Sequence, residues 1–303
     1  MVDLTIIIVN YNSMDYLKKC LNSIINSQYK VNVEIFVSDN NSKDGSIDMV
    51  KNEFPQVFLI ENKNNLGYSG AANRAIRQSS GRYILILNND IEVLDNPLDL
   101  MVERINRDSD IGLLGCMLLN SDKTLQQSFG YFKYGFISEA IQKFIFNRYR
   151  NENSLMGRYL VKTHKKFREV DWIRGACIMA RRKAMEDVGL MDENYFMYFE
   201  EVDLCKRIWR KGWRICYFPD AKMIHHGGIS SDANFDMIMI EYRKSQLYFY
   251  KKHYGVLYMN ILKMYLILKT SYNYIKKEIK GDIKRRNSNN ISRELLSVIW
   301  RYK

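Results

Sequence analysis

The sequence contains few of the residues that mark flexible linkers or secreted proteins. Its 303 residues include only three prolines, and no run rich in glycine and serine divides the chain. This argues against a flexibly linked second domain. The five cysteines are odd in number, widely spaced and without a CxxC pair, so we expect reduced thiols in an intracellular protein.

Long apolar runs are also missing. No stretch reaches the about 18 apolar residues that a membrane-spanning helix needs, so none is expected. The first residues, MVDLTIIIVNYN, lack the basic start and the longer apolar stretch of a signal peptide. We therefore expect a cytoplasmic protein.

Basic residues are concentrated at the end of the chain. Residues 251–303 carry 13 Lys and Arg against 3 Asp and Glu, which is +10 of the total +12 and leaves +2 for residues 1–250. Such a tail indicates an anionic partner, lipid or nucleic acid, or serves solubility alone. Within it, residues 256–269 are mostly apolar apart from a helical stripe of Asn260, Lys263 and Thr270. We favour a basic amphipathic helical segment over 256–303 that contacts the inner face of an anionic membrane, over one that packs on the main domain.

The first 118 residues alternate between strand and helix patterns. The expected strands are Thr5–Val9, Val33–Val37, Val57–Ile60, Tyr83–Leu87 and Ile111–Leu118. The expected helices between them are Met14–Ser27, Ser46–Phe54, Gly70–Ser79 and Pro97–Arg107. This alternation predicts an α/β fold with a mostly parallel sheet covered by helices on both faces.

The remaining part of the main domain is less regular. Residues 119–170 have weak periodicity and are interpreted as a variable insertion. Order returns in residues 171–255, where we expect two strands, Gly175–Ala180 and Arg214–Phe218, and two helices, Arg182–Val188 and Glu201–Lys211.

Polar residues follow three of the predicted strands. These are Asn10-Tyr11-Asn12, Ser38-Asp39-Asn40-Asn41 and Asn88-Asn89-Asp90. Ligands of such sheets bind beyond the carboxyl ends of the strands, so this edge is a candidate pocket. Asp39 could accept from a nucleotide base or ribose, or could hold a local turn. Asp90 could bind Mg2+ or Mn2+ together with phosphate oxygens, or could belong to a β-turn.

Three further motifs allow a functional and a structural interpretation. In NNLGYSGAANRAI, Asn73 and Arg74 could reach a nucleotide, although the glycine spacing is not GxGxxG and fits simple helix packing. In MYFEEVDL, the acids Glu200, Glu201 and Asp203 suit a helix N-terminus, and could equally provide a general base. In HHGG, His225 could bind a metal or be structural.

These motifs in this order resemble the inverting family 2 glycosyltransferases of the GT-A fold. The match runs through TIIIVNYNS, VSDNNSKDGS, NNLGYSGAANRAI, LILNND, VDWIRGACIMARR, MDENYFMYFEEVDLCKRIWRKGW, HHGGIS and RKSQLYFYKKHYG. It covers about residues 4–255 except 122–169, and is most similar to the bacterial rhamnosyltransferase-like branch that builds O-antigen and other surface polysaccharides. The resemblance implies a GT-A catalytic domain over 1–255, with a nucleotide-sugar-binding half at 1–118 and an acceptor half at 171–255.

The resemblance also implies roles for single residues. Asp90 and His225 would bind the metal, Mn2+ or Mg2+, with Asn88 in place of the first acid of the usual metal motif. Glu201, or its neighbour Glu200, would be the catalytic base. The nucleotide would be bound by Val9, Asn10, Tyr11, Asn12, Asp39, Asn41, Asn65, Gly67, Asn73, Asn89 and Asp90. The donor-sugar and acceptor side would consist of Trp172, Arg174, Gly175 and Asp203.

The implied reaction transfers a sugar, with inversion, from a nucleotide-diphosphate sugar to a hydroxyl of a glycan or a polyprenyl-diphosphate-linked acceptor. L-Rhamnose from dTDP-rhamnose is the first expectation, and UDP- or GDP-sugars are alternatives. A nucleic-acid-binding protein is a remote alternative, because the basic tail lacks a recognisable binding motif and no nucleic acid is expected. A sugar nucleotidyltransferase is disfavoured because VNYNSMDYL has no glycine-rich loop.

Overall fold

The computed structural model describes residues 2–132, 155–227, 235–279 and 286–302, and a few single residues between 133 and 154. The chain divides into two compact units, residues 1–194 with 200–227, and residues 195–199 with 228–303. The strands of the first unit are β1 Leu4–Asn10, β2 Val33–Asp39, β3 Phe58–Glu61, β4 Tyr83–Asn88, β5 Ile91–Val93, β6 Ile111–Leu119, β7 Phe129–Gly130, β8 Arg168–Glu169, β9 Trp172–Ile173, β10 Cys177–Arg181 and β11 Arg214–His225. Its helices are α1 Met14–Ile25, α2 Ser46–Glu53, α3 Gly67–Gln78, α4 Pro97–Arg107, α5 Leu155–His164, α6 Arg182–Val188 and α7 Glu200–Arg210.

The main sheet has the strand order β3-β2-β1-β4-β10-β6-β11-β5, with β8 also paired to β11. Strands β3, β2, β1 and β4 are parallel, and so are β6 and β11. Strand β10 runs antiparallel to both of its neighbours, β4 and β6. The predicted mostly parallel sheet is confirmed. Its antiparallel pairings begin at β10, a strand from the second half of the domain.

The sheet is covered by helices on both faces because its strands are apolar on both sides. In β1, Ile6 and Ile8 belong to one core cluster, which includes Leu17 of α1. Ile7 belongs to the opposite cluster, with Ala71 of α3. Successive side chains of a strand point to opposite faces, so a continuous apolar run places residues in both cores. The register pairs Asn10 with Asp39 and Val9 with Asn88, so the polar ends of β1, β2 and β4 lie together.

The second unit contains two helices, α8 Phe235–Ile279 and α9 Arg286–Arg301. Helix α8 is interrupted at Gly255, whose φ of 87° is not helical, and this residue is the predicted boundary of the tail. Beyond Gly255 one face of α8 is buried and packs on α9. The buried residues are Met259, Leu262 and Leu266 of α8 and Leu295 and Ile299 of α9.

Helix α8 also has an exposed apolar stripe beyond Gly255, which we call the outer stripe. Its residues are Leu257, Ile261, Met264, Leu268, Tyr272 and Ile275. Lys263, expected on an open polar stripe, instead donates to the carbonyl of Tyr302 at 2.9 Å. Within the described residues, no helix combines the length and apolarity needed to cross a membrane.

Candidate active site

The ends of β1 and β2 are joined by a buried polar network. Asp39 is 1% exposed. Its Oδ1 accepts from the Ser42 amide at 2.8 Å, and its Oδ2 accepts from Asn10 Nδ2 at 2.7 Å and Ser42 Oγ at 2.8 Å. Ser42 Oγ in turn accepts from the Asn12 amide at 2.8 Å. Asp39 thus holds the turn after β2, which is the structural alternative of the sequence prediction, and its predicted contact with a nucleotide stays a prediction.

Residues at the rim of this network remain accessible. Tyr11 is 43% exposed, and Asn12 is exposed as well. Asn12 and Asn41 have positive φ values of 46° and 66°, a backbone conformation that asparagine tolerates better than most residues. Val9, by contrast, is buried in the sheet. Of the residues predicted on these two strand ends, the rim residues are therefore the ones that a bound molecule can touch directly.

The start of α3 is held by the same strand ends. Asn40 Nδ2 donates to the Gly67 carbonyl at 3.1 Å, and Asn65 Oδ1 accepts from the Gly67 amide at 2.9 Å. Gly67 has a φ of 71°, which favours glycine at this position. Asn73 lies further along the helix and is directed elsewhere. Its amide binds the Met191 backbone and Glu193, so its predicted contact with a nucleotide has no support in its hydrogen bonds.

The end of β4 meets the end of β11 at Asp90 and His225. Asn89 Nδ2 donates to Asn10 Oδ1 at 2.8 Å, which connects this region to the strand-end network. Asp90 Oδ1 lies 3.3 Å from His225 Nε2, and Asn88 Nδ2 lies 3.3 Å from the same nitrogen. Asp90 Oδ2 accepts from the Gly227 amide at 2.9 Å. Two residues 135 positions apart in the chain thus face each other at the carboxyl edge of the sheet.

The Asp90 carboxylate is arranged to be ionised. Burial acts to raise its pKa, but His225 in its protonated form and the amide of Gly227 outweigh this and lower it. Its Oδ1 is buried without a hydrogen-bond partner. A buried carboxylate oxygen without a partner is costly, and an oxygen and a nitrogen 3.3 Å apart fit two ligands of a divalent cation. No group of three or more His, Cys, Asp or Glu that could hold a metal occurs among the described residues.

Glu200 and Glu201 open α7 as adjacent acids. Glu200 is 7% exposed and Glu201 is partly buried, and each has one carboxylate oxygen, Oε2, without a hydrogen-bond partner. Burial and then the charge of Glu201 raise the pKa of Glu200 well above its ordinary value. Burial also raises the pKa of Glu201, which backbone N–H groups and the nearby Arg174 partly offset. Burial therefore disfavours the charged form of both acids, and Arg174 and the backbone N–H groups offset this at Glu201.

Tyr68 links the nucleotide side of the sheet to these acids, and sequence reasoning did not single it out. Its hydroxyl donates to the Gly175 carbonyl at 3.1 Å. Burial and the charges of Glu200 and Glu201 raise its pKa well above the ordinary value, so it remains a donor. Gly175 lies against Glu201, since a Cβ on Gly175 would be 3.4 Å from Glu201 Cδ. The motif that contains Tyr68 was interpreted from the spacing of its glycines. No feature of the neighbouring sequence distinguishes this tyrosine from other tyrosines of the chain.

Three predicted residues of the sugar side have different surroundings. Trp172 of β9 lies against Gly130 of β7, and Arg174 follows it toward Glu201. Asp203 is fully buried and accepts from Arg207 Nε at 2.6 Å, one helical turn along α7. This ion pair within a helix gives Asp203 a structural contact, and its predicted role on the sugar side stays a prediction.

Comparison with known proteins agrees with this architecture. A mannosyltransferase from Pyrobaculum calidifontis, solved with GDP-Man and Mn2+, superposes with a TM-score of 0.59 at 14% identity, over 99% of this chain and 86% of that one. The fold is therefore that of the GT-A glycosyltransferases. The chain belongs to glycosyl transferase family 2, whose pattern matches residues 5–189, and is a transferase.

Relatives in sequence include enzymes of cell-surface glycan synthesis. The chain is 27% identical over 235 residues to an N-acetylglucosaminyl-diphospho-decaprenol L-rhamnosyltransferase of Mycobacterium tuberculosis. The aligned region covers 74% of this chain and 76% of the relative. It is 25% identical over 284 residues to a GalNAc(5)-diNAcBac-PP-undecaprenol beta-1,3-glucosyltransferase of Campylobacter jejuni. Here the aligned region covers 87% of this chain and 88% of the relative. The family resemblance seen in the sequence motifs is confirmed.

Proposed function

We propose that this protein is a metal-dependent inverting glycosyltransferase that moves a hexose from a nucleotide-diphosphate sugar to a lipid-linked glycan. The observation that carries the proposal is the meeting of Asp90 Oδ1 and His225 Nε2, 3.3 Å apart, at the edge where the strands end in polar residues. The acid pair Glu200 and Glu201 belongs to the same unit of the chain. A nucleotide site, two metal ligands and a general base are the groups that this reaction requires.

Asp90 and His225 would hold one Mn2+ or Mg2+ next to the diphosphate of the donor. A carboxylate and an imidazole together suit Mn2+ better than Mg2+, which prefers oxygen ligands alone. When bound, the ion acts as a Lewis acid that offsets the charge of the departing nucleotide diphosphate. The unpaired Asp90 Oδ1 supports this assignment because a cation would satisfy it.

Glu201 is the base in this proposal. It removes the proton from the acceptor hydroxyl as that oxygen attacks the anomeric carbon, while the bond from this carbon to the diphosphate breaks. A single displacement inverts the configuration at that carbon. Arg174 and backbone amides favour the ionised form of Glu201, whereas the charge of Glu201 adds to burial in raising the pKa of Glu200. Tyr68 holds the Gly175 backbone against Glu201.

The donor is inferred from relatives and from the open rim residues. Tyr11, Asn12 and Asn41 would contact the base and ribose, and Trp172 and Arg174 the transferred sugar or the acceptor. The rhamnosyltransferase relative favours dTDP-L-rhamnose, and the glucosyltransferase relative keeps UDP-sugars as an alternative. Both relatives carry a polyprenol-linked substrate in their names, so we infer an acceptor of this kind for this chain.

Calorimetric titration tests the nucleotide and the metal together. The protein is titrated with dTDP, UDP and GDP, each with and without Mn2+, and we expect metal-dependent binding of one of them. Asp90→Asn should abolish the metal dependence. Glu92→Gln is the matched control, because Glu92 pairs with His226 at 3.2 Å in a neighbouring carboxylate–histidine contact that the proposal does not use. Equal binding by wild type and Asp90→Asn in Mn2+ would contradict the metal site.

We also propose that the outer stripe of α8 lies on an anionic membrane. Its six apolar residues recur every three or four positions, so they form one face, and Leu257 is 78% exposed. Exposed lysines accompany it at Lys251, Lys252 and Lys269, and each basic residue near an anionic surface contributes about 1 kcal/mol. This location would bring the enzyme to the inner face of the membrane, where a polyprenyl-linked acceptor resides.

Vesicle sedimentation tests the outer stripe. The double variant Leu257→Glu with Leu268→Glu should lose binding to vesicles containing phosphatidylglycerol, which the wild type binds better than neutral vesicles. Met237→Glu is the control, since Met237 is an exposed apolar residue of α8 outside the outer stripe. Undiminished sedimentation of the double variant would contradict the proposal. A dimer in size-exclusion chromatography that the same substitutions dissociate would assign the outer stripe to a second copy of the chain.

A further inference from the structure

Gln126 lies between β6 and β7 and contacts the ring of His225 from the side opposite Asp90. Its backbone amide donates to the Leu118 carbonyl at 2.9 Å, which anchors the residue beside β6. Its side-chain Oε1 lies 2.6 Å from His225 Nδ1. Its Nε2 lies 3.3 Å from the His225 carbonyl oxygen and 3.0 Å from Asn120 Oδ1. All four polar contacts are within the first unit of the chain.

The orientation of the Gln126 amide follows from these partners. A backbone carbonyl oxygen only accepts hydrogen bonds, so the atom facing the His225 carbonyl is the NH2 group. Asn120 agrees with this orientation, because its own Nδ2 donates to Thr124 Oγ1 at 2.9 Å and leaves its Oδ1 toward Gln126. The opposite orientation would place Gln126 Oε1 against two acceptors. The oxygen of Gln126 therefore faces the imidazole.

This orientation decides the tautomer of His225. An amide oxygen only accepts, so His225 Nδ1 carries a proton and donates it to Gln126 Oε1. A neutral imidazole has one N–H, so Nε2 retains its lone pair. That lone pair points into the space shared with Asp90 Oδ1 and accepts at most a weak bond from Asn88 Nδ2, at 3.3 Å.

His226 provides a contrast within the same chain. Its Nδ1 lies 2.8 Å from the hydroxyl of Ser121, which can donate or accept, so this contact does not choose a tautomer. Its Nε2 lies 3.2 Å from Glu92, which readily accepts an N–H. Only the first of the two adjacent histidines is held by an obligate acceptor at Nδ1 and faces a carboxylate oxygen without a hydrogen-bond partner.

We propose that Gln126 is a positioning residue that holds His225 in the Nδ1–H tautomer and so keeps Nε2 available as a ligand for the divalent cation. The proposal rests on the metal site of the proposed function. Without this contact, the Nε2–H tautomer would donate to Asp90 Oδ1 and block both ligand atoms at once. Metal-binding histidines generally donate their second ring nitrogen to such a partner, and loss of the partner weakens metal binding about 10–100-fold.

Nitrogen-15 NMR of the full chain without metal reports the tautomer directly. Histidine-labelled protein is measured at about pH 8.5, where imidazoles are generally neutral. We expect His225 in the Nδ1–H form in the wild type, and a shift to the Nε2–H form in Gln126→Leu. Gln126→Glu keeps an acceptor for Nδ1 but turns a second oxygen toward the His225 carbonyl and Asn120 Oδ1, so it should keep the tautomer at a lower melting temperature. His226 serves as the internal control and should not change. An Nε2–H form of His225 in the wild type would overturn the proposal.

Mn2+ binding in the presence of the preferred nucleoside diphosphate supplies the second readout. We expect Gln126→Leu to weaken Mn2+ binding about 10–100-fold and Gln126→Glu to restore much of it. Equal Mn2+ affinity of wild type and Gln126→Leu, with the same melting temperature, would overturn the role of Gln126 and leave the proposed function standing. Failure of the wild type to bind Mn2+ with any nucleoside diphosphate would count against the proposed function, and the assigned role of Gln126 would fall with it.

Discussion

Replacement of the adjacent acids Glu200 and Glu201 is expected to have opposite effects on stability and on activity. Each is replaced by glutamine, singly and together, which removes a charge and preserves the size of the side chain. A carboxyl whose pKa is raised in the folded state stabilises the fold while it is protonated, below its unfolded pKa, and this contribution is lost as the pH rises through the folded pKa. Both pKa values are raised, so the pair destabilises the protein at neutral and alkaline pH.

The expected magnitude follows from removing one buried charge, because glutamine keeps a polar group where each Oε2 has no hydrogen-bond partner. A difference of one pKa unit between the folded and unfolded states is worth about 1.4 kcal/mol. We therefore expect each single variant to gain about 1 kcal/mol at pH 8.5, which raises the melting temperature of a domain of this size by roughly 2–4 °C. The gain should shrink as the pH falls through the raised pKa values, because the wild-type carboxyls become neutral there. The double variant should gain less than the sum, because the first substitution already removes the mutual repulsion.

Activity should move in the other direction. Glu201→Gln removes the general base and should lower kcat about 10²–10⁴-fold, with a smaller loss for Glu200→Gln. The acid limb of the wild-type rate profile should lie above the ordinary glutamate pKa of about 4.3, because the base acts only when ionised. Thermal unfolding and sugar transfer are measured on the same preparations at each pH.

Glu193→Gln is the matched control for charge removal. Hydrogen bonds from Asn73 and Arg77 hold the pKa of Glu193 below its usual value, so its charge contributes stability at neutral pH and its loss should not raise the melting temperature. Glu200→Gln and Glu201→Gln variants that both melt below the wild type at pH 8.5 would refute the reasoning about the acid pair. Full activity of Glu201→Gln would refute the assignment of the base.

Two other substitutions separate structural from functional residues. Asp203→Ala breaks the buried pair with Arg207 and should cost about 3–5 kcal/mol in urea unfolding with little change in donor KM, and the reverse pattern would return Asp203 to the sugar site. Gly130→Ala places a Cβ 2.4 Å from the indole of Trp172, so the ring must move. We expect a raised acceptor or donor-sugar KM with unchanged nucleotide binding, and unchanged KM values would remove Trp172 from that site.

Short-range patterns in the sequence were enough to predict most of the elements of the sheet. The predicted strand Thr5–Val9 lies within β1, and the predicted helix Pro97–Arg107 coincides with α4. Apolar runs, helical periodicity and loop residues act over ten residues or fewer, so they are visible without the fold. The polar strand ends were visible for the same reason, and they marked the edge of the sheet where Asp90 lies.

The environment of each polar residue depended on partners that are far away in the chain. Asp39 looked the same in sequence whether it faced a nucleotide or closed a turn, and only the structure shows its contact with Asn10 of another strand. Gln126 was not predicted at all, because its partner His225 is 99 positions away and a glutamine in a polar segment carries no local signal.

The sequence by itself therefore determined the order of strands and helices, the family and the set of acids and histidines available for chemistry. Only the tertiary structure decided which of them face one another. Asp90 meets His225 because the ends of β4 and β11 lie at the same edge of the sheet. Asp203, by contrast, forms an ion pair with Arg207 of its own helix. Distances, burial and hydrogen-bond partners are properties of packed surfaces, and packing joins residues that the sequence separates.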